Sequence, residues 1–158
     1  MVRFRHLAAA TTALTFALIL LGVYTAAMGA GLSCSAQWPF CDGGLLPQTF
    51  PSFVEWFHRL IAMITGFFII GTTAGAWKYH RQKRIRGAAT LALAVTPLQI
   101  VLGGATVFVY TPLVQVAHHA AALVIFGALL ATTLWSYEAE RTPETQSADA
   151  TAGYPSDD

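Results

Sequence analysis

From residue 87 to residue 137 the chain runs for 51 residues without one Asp, Glu, Lys or Arg. A soluble domain carries about 25% charged residues, so a stretch of this length has no face to turn to water. Crossing the ~30 Å of bilayer hydrocarbon takes roughly 20 apolar residues in a helix. The run is too long for one crossing and divides at Tyr110-Thr111-Pro112, because the residue before a proline is biased out of the helical region. It therefore predicts two spans, 88–110 and 112–136. Residues 7–29 supply another uncharged span, and 53–77 one interrupted only by Glu55, His58 and Arg59 near its start. The expected fold is all-α, an integral membrane four-helix bundle over residues 1–137 with a 30–52 loop. At 55% hydrophobic and 11% charged, the composition argues against a soluble enzyme and against a nucleic-acid binder, and makes the lipid bilayer the first partner.

The net charge of +1 is the sum of two unlike parts. Residues 138–158 hold Glu138, Glu140, Glu144, Asp149, Asp157 and Asp158 against Arg141. This segment has no apolar period and reads as an acidic, disordered tail. Apart from Arg59, the other basic residues flank the spans: Arg3 and Arg5 precede the first, and Lys78, Arg81, Lys83, Arg84 and Arg86 separate the second from the third. The 30–52 loop has no Lys or Arg. Basic residues stay on the cytoplasmic side, so both termini are expected in the cytoplasm and the loop outside, in a cell-membrane, multi-pass protein. The first span is longer than the 7–15-residue apolar core of a signal peptide and is read as retained.

Cys34 and Cys41 both fall in the outside loop, within GLSCSAQWPFCDGG. That compartment permits disulfides, and the spacing leaves two readings open, a loop staple or a redox-active pair. Two thiols without a third ligand make a poor zinc site.

Ionisable residues inside a span are costly and by default functional. Glu55 and His58 in the second span and His118-His119 in the fourth meet that description. If these parallel spans start at Ser52 and Pro112, His58 and His118 each lie six residues in, at about 9 Å depth. Two imidazoles at matched depth on parallel helices suit the axial ligation of one haem iron; hydrogen bonding to another helix is the alternative. Periodicity does not decide between His118 and His119. Glu55 lies on the face of His58. It fits either a capping box headed by Ser52 or a proton acceptor beside a haem. Arg59 is placed to pair with Glu55, reach a propionate or snorkel.

A weak internal repeat suggests a pseudo-two-fold plan. Leu21-Gly22-Val23-Tyr24-Thr25 and Leu102-Gly103-Gly104-Ala105-Thr106 share L-G-x-x-T, and Pro51…His58…Gly66 is spaced like Pro112…His119…Gly127. This register pairs His58 with His119, against the depth argument.

Taken together, GAGLSC…WPFC-x-GG in the loop, EWFHR in the second span, LGGATV in the third and P-x5-H in the fourth resemble haem A synthase. The likeness is to a half-length, four-helix archaeal form; the long form has eight spans in two halves. The resemblance implies an oxidoreductase that converts haem O to haem A, oxidising the ring position 8 methyl to a formyl group for terminal oxidases. It implies that Glu55 is the functional glutamate, that His58 and His118 are the axial ligands of the haem iron, and that Cys34 and Cys41 form a disulfide. It gives His119 no role. Where the family often carries an arginine, this chain has Tyr24-Thr25-Ala26-Ala27. Partners implied are haem O, a second copy of the chain, haem O synthase and an electron carrier, with haem b as a further bound cofactor. Two rival readings use the same residues differently. One is a bis-His b-type cytochrome that only transfers electrons. The other is a thiol–quinone oxidoreductase, although such proteins usually need a C-x-x-C pair.

Overall fold

A computed structural model describes residues 4–34, 37, 41 and 46–152, with side chains as far as residue 140. Four helices follow one another: α1 (Phe4–Ala27), α2 (Phe50–Tyr79), α3 (Lys83–Phe108) and α4 (Pro112–Ala152), with a single 3-10 turn at Ala30–Leu32 after α1. Each helix contains a stretch long and apolar enough to cross a membrane, and no strand occurs among the described residues. The chain is a multi-pass membrane protein.

The helix ends explain where the structure departs from the sequence reading. α2 starts earlier than expected because Thr49, in extended conformation, caps it. Its hydroxyl accepts from the Ser52 amide at 3.3 Å, and Pro51 fits the first turn, where no amide is required. Ser52 is thus inside the helix, and the capping box that would have paired it with Glu55 does not form. α3 absorbs Pro97 in its interior, as membrane helices can when neighbours compensate the lost hydrogen bond. α4 opens at Pro112, with the Thr111 hydroxyl accepting from the Val114 amide at 3.3 Å.

Past residue 136, α4 continues to Ala152. Residues 138–152, expected as the beginning of a disordered tail, are therefore helical, and 153–158 lie outside the described residues. The acidic side chains that start this segment have partners on the bundle. Glu140 pairs with Arg5 at 3.1 Å and Glu138 with Arg84 at 3.0 Å. The same two guanidinium groups sit over the Tyr137 and Trp135 rings. His80, just beyond α2, packs on Phe4 with ring centroids 4.6 Å apart; burial holds its imidazole below the usual range, with Glu140 pulling the other way.

The helices form a square in which α1 touches α2 and α4, and α3 touches α2 and α4. Among the described residues α2 and α4 face each other diagonally without close backbone approach. They run parallel, since the connections at 80–82 and 109–111 are tight reversals. The apolar core is built from small residues and lies toward the basic end and the middle. One cluster joins Phe4, Ala8, Ala76, Ile85 and Ala89, the other Ile69, Ala92, Ile125, Ala128 and Leu129. Large apolar side chains such as Phe67, Val101 and Leu113 point outward, as expected where lipid is the solvent. Lipid removes the hydrophobic drive between helices, so small-residue packing and interhelical hydrogen bonds must hold them.

Threonines supply those bonds. Thr11 meets Thr72 at 2.8 Å across α1 and α2, Thr12 meets Thr133 at 2.9 Å across α1 and α4, and Thr73 donates to the Ala89 carbonyl of α3 at 3.0 Å. Thr11 and Thr12 already give their protons to the Leu7 and Ala8 carbonyls. Each hydroxyl has only one proton, so Thr72 and Thr133 are the donors across the interfaces. A double-mutant cycle with Thr12→Val and Thr133→Val should show a coupling of about 0.6 kcal/mol in mixed-micelle unfolding, the average for such bonds in a membrane bundle. Additive losses would mean that this bond carries no interhelical stability.

Candidate functional site

The half of the bundle near the 28–49 connection is organised differently. Here α2 and α4 each bring a histidine against a glycine of the adjacent antiparallel helix. A Cβ added at Gly22 of α1 would lie 3.0 Å from Cε1 of His58, and one added at Gly103 of α3 would lie 3.2 Å from Cε1 of His118. Any side chain at either glycine would press on the ring beside it, so glycine is favoured by close approach. The two cradles are the same construction repeated, and they fall on the two L-G-x-x-T segments. The structure thereby makes His118 the counterpart of His58. The register that equated His119 with His58 is not the one the helices follow.

Because α2 begins at Phe50, His58 lies eight residues into its helix, roughly 12 Å, against roughly 9 Å for His118. Nδ1 of each ring is buried without a hydrogen-bond partner. Gln99 of α3 places its amide nitrogen 3.3 Å from Nε2 of His118. His119 turns away from this pattern: its Nδ1–H donates to the carbonyl of Gln115 one turn back at 2.8 Å, and its ring stands at 89° to that of His118.

Glu55 lies one turn from His58 toward the loop and is only 7% exposed. Arg59 Nε donates to its Oε1 at 2.9 Å, and Arg59 Nη1 donates to the Gln37 carbonyl at 3.0 Å. Oε2 of the same carboxylate faces Gly31 in the 3-10 turn, 3.9 Å from where a Cβ would stand. That turn packs on α1, α2 and α3, so it covers Glu55 from the loop end.

Cys34 and Cys41 form a disulfide with Cα atoms 4.5 Å apart, and both are buried. The Ser52 hydroxyl donates to the Ser33 carbonyl at 3.4 Å. The Cys41 sulfur sits 3.8 Å from the Ser52 carbonyl; a disulfide sulfur has no proton to donate, so this contact is packing. The loop is thus held to the start of α2 through Ser52 and to its third turn through Arg59.

No group of three or more His, Cys, Asp and Glu able to hold a bare metal ion occurs among the described residues. Two imidazoles on diagonal helices instead suit a metal whose equatorial positions are filled by its own macrocycle. Buried ring nitrogens with hydrogen-bonding capacity unspent, backed by glycines, fit that demand. The sequence reading missed Gln99, Gln115 and the Gln37 carbonyl. A glutamine inside an apolar span was the available signal for the first two, while the contact of a backbone carbonyl leaves no trace in sequence.

Residues 48–130 match the sequence model of COX15-CtaA, described as "Cytochrome oxidase assembly protein". The chain is 34% identical over 128 residues to a protohaem IX farnesyltransferase of Halobacterium salinarum, covering 79% of this chain and 28% of that protein. To a haem A synthase of Bacillus licheniformis it is 29% identical over 140 residues, covering 87% of this chain and 46% of the relative. A haem A synthase of Rhodospirillum centenum is 31% identical over 158 residues, 90% of this chain and 41% of the relative. The chain spans less than half the length of these relatives. The family match takes in α2, α3 and the part of α4 that bears both histidines, and so this chain belongs to the COX15-CtaA family of cytochrome oxidase assembly proteins.

Proposed function

We propose that this protein is a haem A synthase, which oxidises the ring position 8 methyl of haem O to a formyl group. The observation that carries the reading is the pair of glycine-backed, buried histidines, with the covered Glu55–Arg59 pair one turn toward the loop from one of them. His58 and His118 would hold the haem iron in this reading. The iron of the bound haem supplies the oxidising chemistry, as cofactor metals do, while the protein binds and orients.

Each residue then has a defined task. Gly22 and Gly103 let the imidazoles stand close to α1 and α3, leaving the space between α2 and α4 for a macrocycle. Glu55, buried and one turn from His58, accepts a proton released at the reacting methyl. Arg59 holds that carboxylate through Nε and contributes to binding a propionate at the loop end. The turn over Gly31 keeps water from the acid, and the disulfide braces the turn. The loop end faces outward and the end with Lys78, Arg81, Lys83, Arg84 and Arg86 faces the cytoplasm, following the basic residues.

Haem O synthase is a partner in this reading. Relatives named protohaem IX farnesyltransferase match over only 28–30% of their own length, which supports a segment that accompanies a farnesyl-transferring protein. A second copy of the chain and an electron carrier complete the proposed assembly.

Co-expression with a source of haem O should yield a formyl-bearing haem on pigment extraction. A bound haem that is never converted would instead leave a bis-His b-type cytochrome. Glu55→Gln should retain bound haem and lower the formyl product about 100-fold or more, the scale of a lost acid–base group; an unchanged yield would remove Glu55 from the chemistry. His58→Ala and His118→Ala should each lose the six-coordinate low-spin spectrum, and His119→Ala should keep it. Gly22→Ala and Gly103→Ala should weaken haem binding roughly 10–100-fold, the range for disturbed support of a metal ligand, measured by haem titration in detergent.

A further inference from the structure

The two half-sites repeat their scaffold but differ in their polar flanks. Taking His58 and His118 as equivalents, as their glycine cradles require, the residues three before and one after each histidine also correspond. On α2 these are Glu55 and Arg59, joined as an ion pair at 2.9 Å. On α4 they are Gln115 and His119, joined one turn apart in the same i,i+4 relation. There His119 Nδ1–H is fixed on the Gln115 carbonyl at 2.8 Å and the Gln115 amide stands 3.4 Å from the same nitrogen. A third difference lies on the wall helices. Aligning Gly22 with Gly103 aligns Leu18 with Gln99, and Gln99 contacts His118.

A macrocycle between two equivalent histidines has two ways to sit. The operation that exchanges His58 with His118 turns it over, and so exchanges the two ring methyls that flank the propionates. A scaffold with true two-fold symmetry would bind both orientations equally and offer either methyl to Glu55. Oxidation of one methyl requires one orientation. We infer that the hydrogen-bonded Gln115–His119 pair, set opposite the Glu55–Arg59 ion pair, selects the orientation of the bound porphyrin and hence which methyl meets Glu55. Gln115 and His119 are positioning residues in this scheme and touch no reacting atom. The inference rests on the proposal that His58 and His118 hold a haem.

The carboxylate–guanidinium pair and the glutamine–imidazole pair differ enough to discriminate. A carboxylate with its guanidinium presents a fixed dipole in a medium where charges are weakly screened. The glutamine–imidazole pair contains no carboxylate, and its ring is fixed on a main-chain carbonyl, so it offers a different polar edge. A porphyrin whose edge is polar on one side of a methyl and apolar on the other distinguishes the two. Selectivity through an element that disfavours the wrong pose is a general route to specificity.

The test uses the full-length protein in detergent, loaded with ferric haem O, and reads the hyperfine-shifted ring-methyl resonances by proton NMR. Each orientation gives its own set. The unaltered protein should show one set. The double substitution Gln115→Glu with His119→Arg makes these flanks alike and should give a second set beside the first, in proportions left to the remaining Leu18–Gln99 difference. Should that variant fail to fold, Glu55→Gln with Arg59→His makes them alike in the other direction and should also give two sets. One set in the symmetrised variants, or two sets in the unaltered protein, overturns the inference while leaving haem binding intact. Absence of a bis-His low-spin spectrum in the unaltered protein overturns the parent reading and this inference with it.

Discussion

The structure turns on how closely α1 approaches α2, and α3 approaches α4, at Gly22 and Gly103. In hydrocarbon nothing pushes helices together as water does, and what holds them is contact between surfaces that fit. Alanine and threonine provide that fit toward the basic end, where hydroxyls bridge three helix interfaces. Toward the loop the same close approach is spent on imidazole rings that bring their Cε1 edge against glycine. The diagonal helices carry the ligand candidates, and the neighbouring pair supplies the walls behind them.

Much of this arrangement was legible in the sequence, because a bilayer imposes simple rules. The absence of charge over 87–137 and the proline at 112 placed two helices, and the shared L-G-x-x-T segments foreshadowed the two glycine cradles. The matched depth expected for His58 and His118 did not survive the earlier start of α2. What escaped were effects of local capping and of long-range contact. Ser52 and Glu55 have capping-box spacing, yet Thr49 lies earlier and Pro51 is compatible with a first turn, so the helix starts sooner and Glu55 is released to pair with Arg59. The repeat of proline, histidine and glycine spacings pointed to His119, but ring packing against the opposing helix decides equivalence, and that depends on the rotation of α4. The acidic segment after residue 136 looked unstructured in isolation; Arg5 and Arg84, on other helices, give its first acids a seat.

The 30–32 turn and the disulfide-closed loop extend the site beyond the helices. A carboxylate buried in a membrane protein needs a counter-charge or its proton, and here the counter-charge is itself tethered. Arg59 divides its hydrogen bonds between Glu55 and the Gln37 carbonyl, so the acid is joined to the loop through one side chain. Any displacement of the loop is transmitted to the environment of Glu55 without altering α2. The buried disulfide, next to the start of the same helix, limits how far such displacement can go.

The placement of ligand candidates on one diagonal of the square has a consequence for how such a bundle can change. The width of the space between His58 and His118 is governed largely by α1 and α3, which bear neither histidine. Substitutions along those two helices can enlarge, narrow or tilt that space while the two histidines stay unaltered. Dimensions and chemistry are thereby written on separate strips of the chain. A lineage of such proteins can adapt to macrocycles with different substituents by redrawing the walls alone.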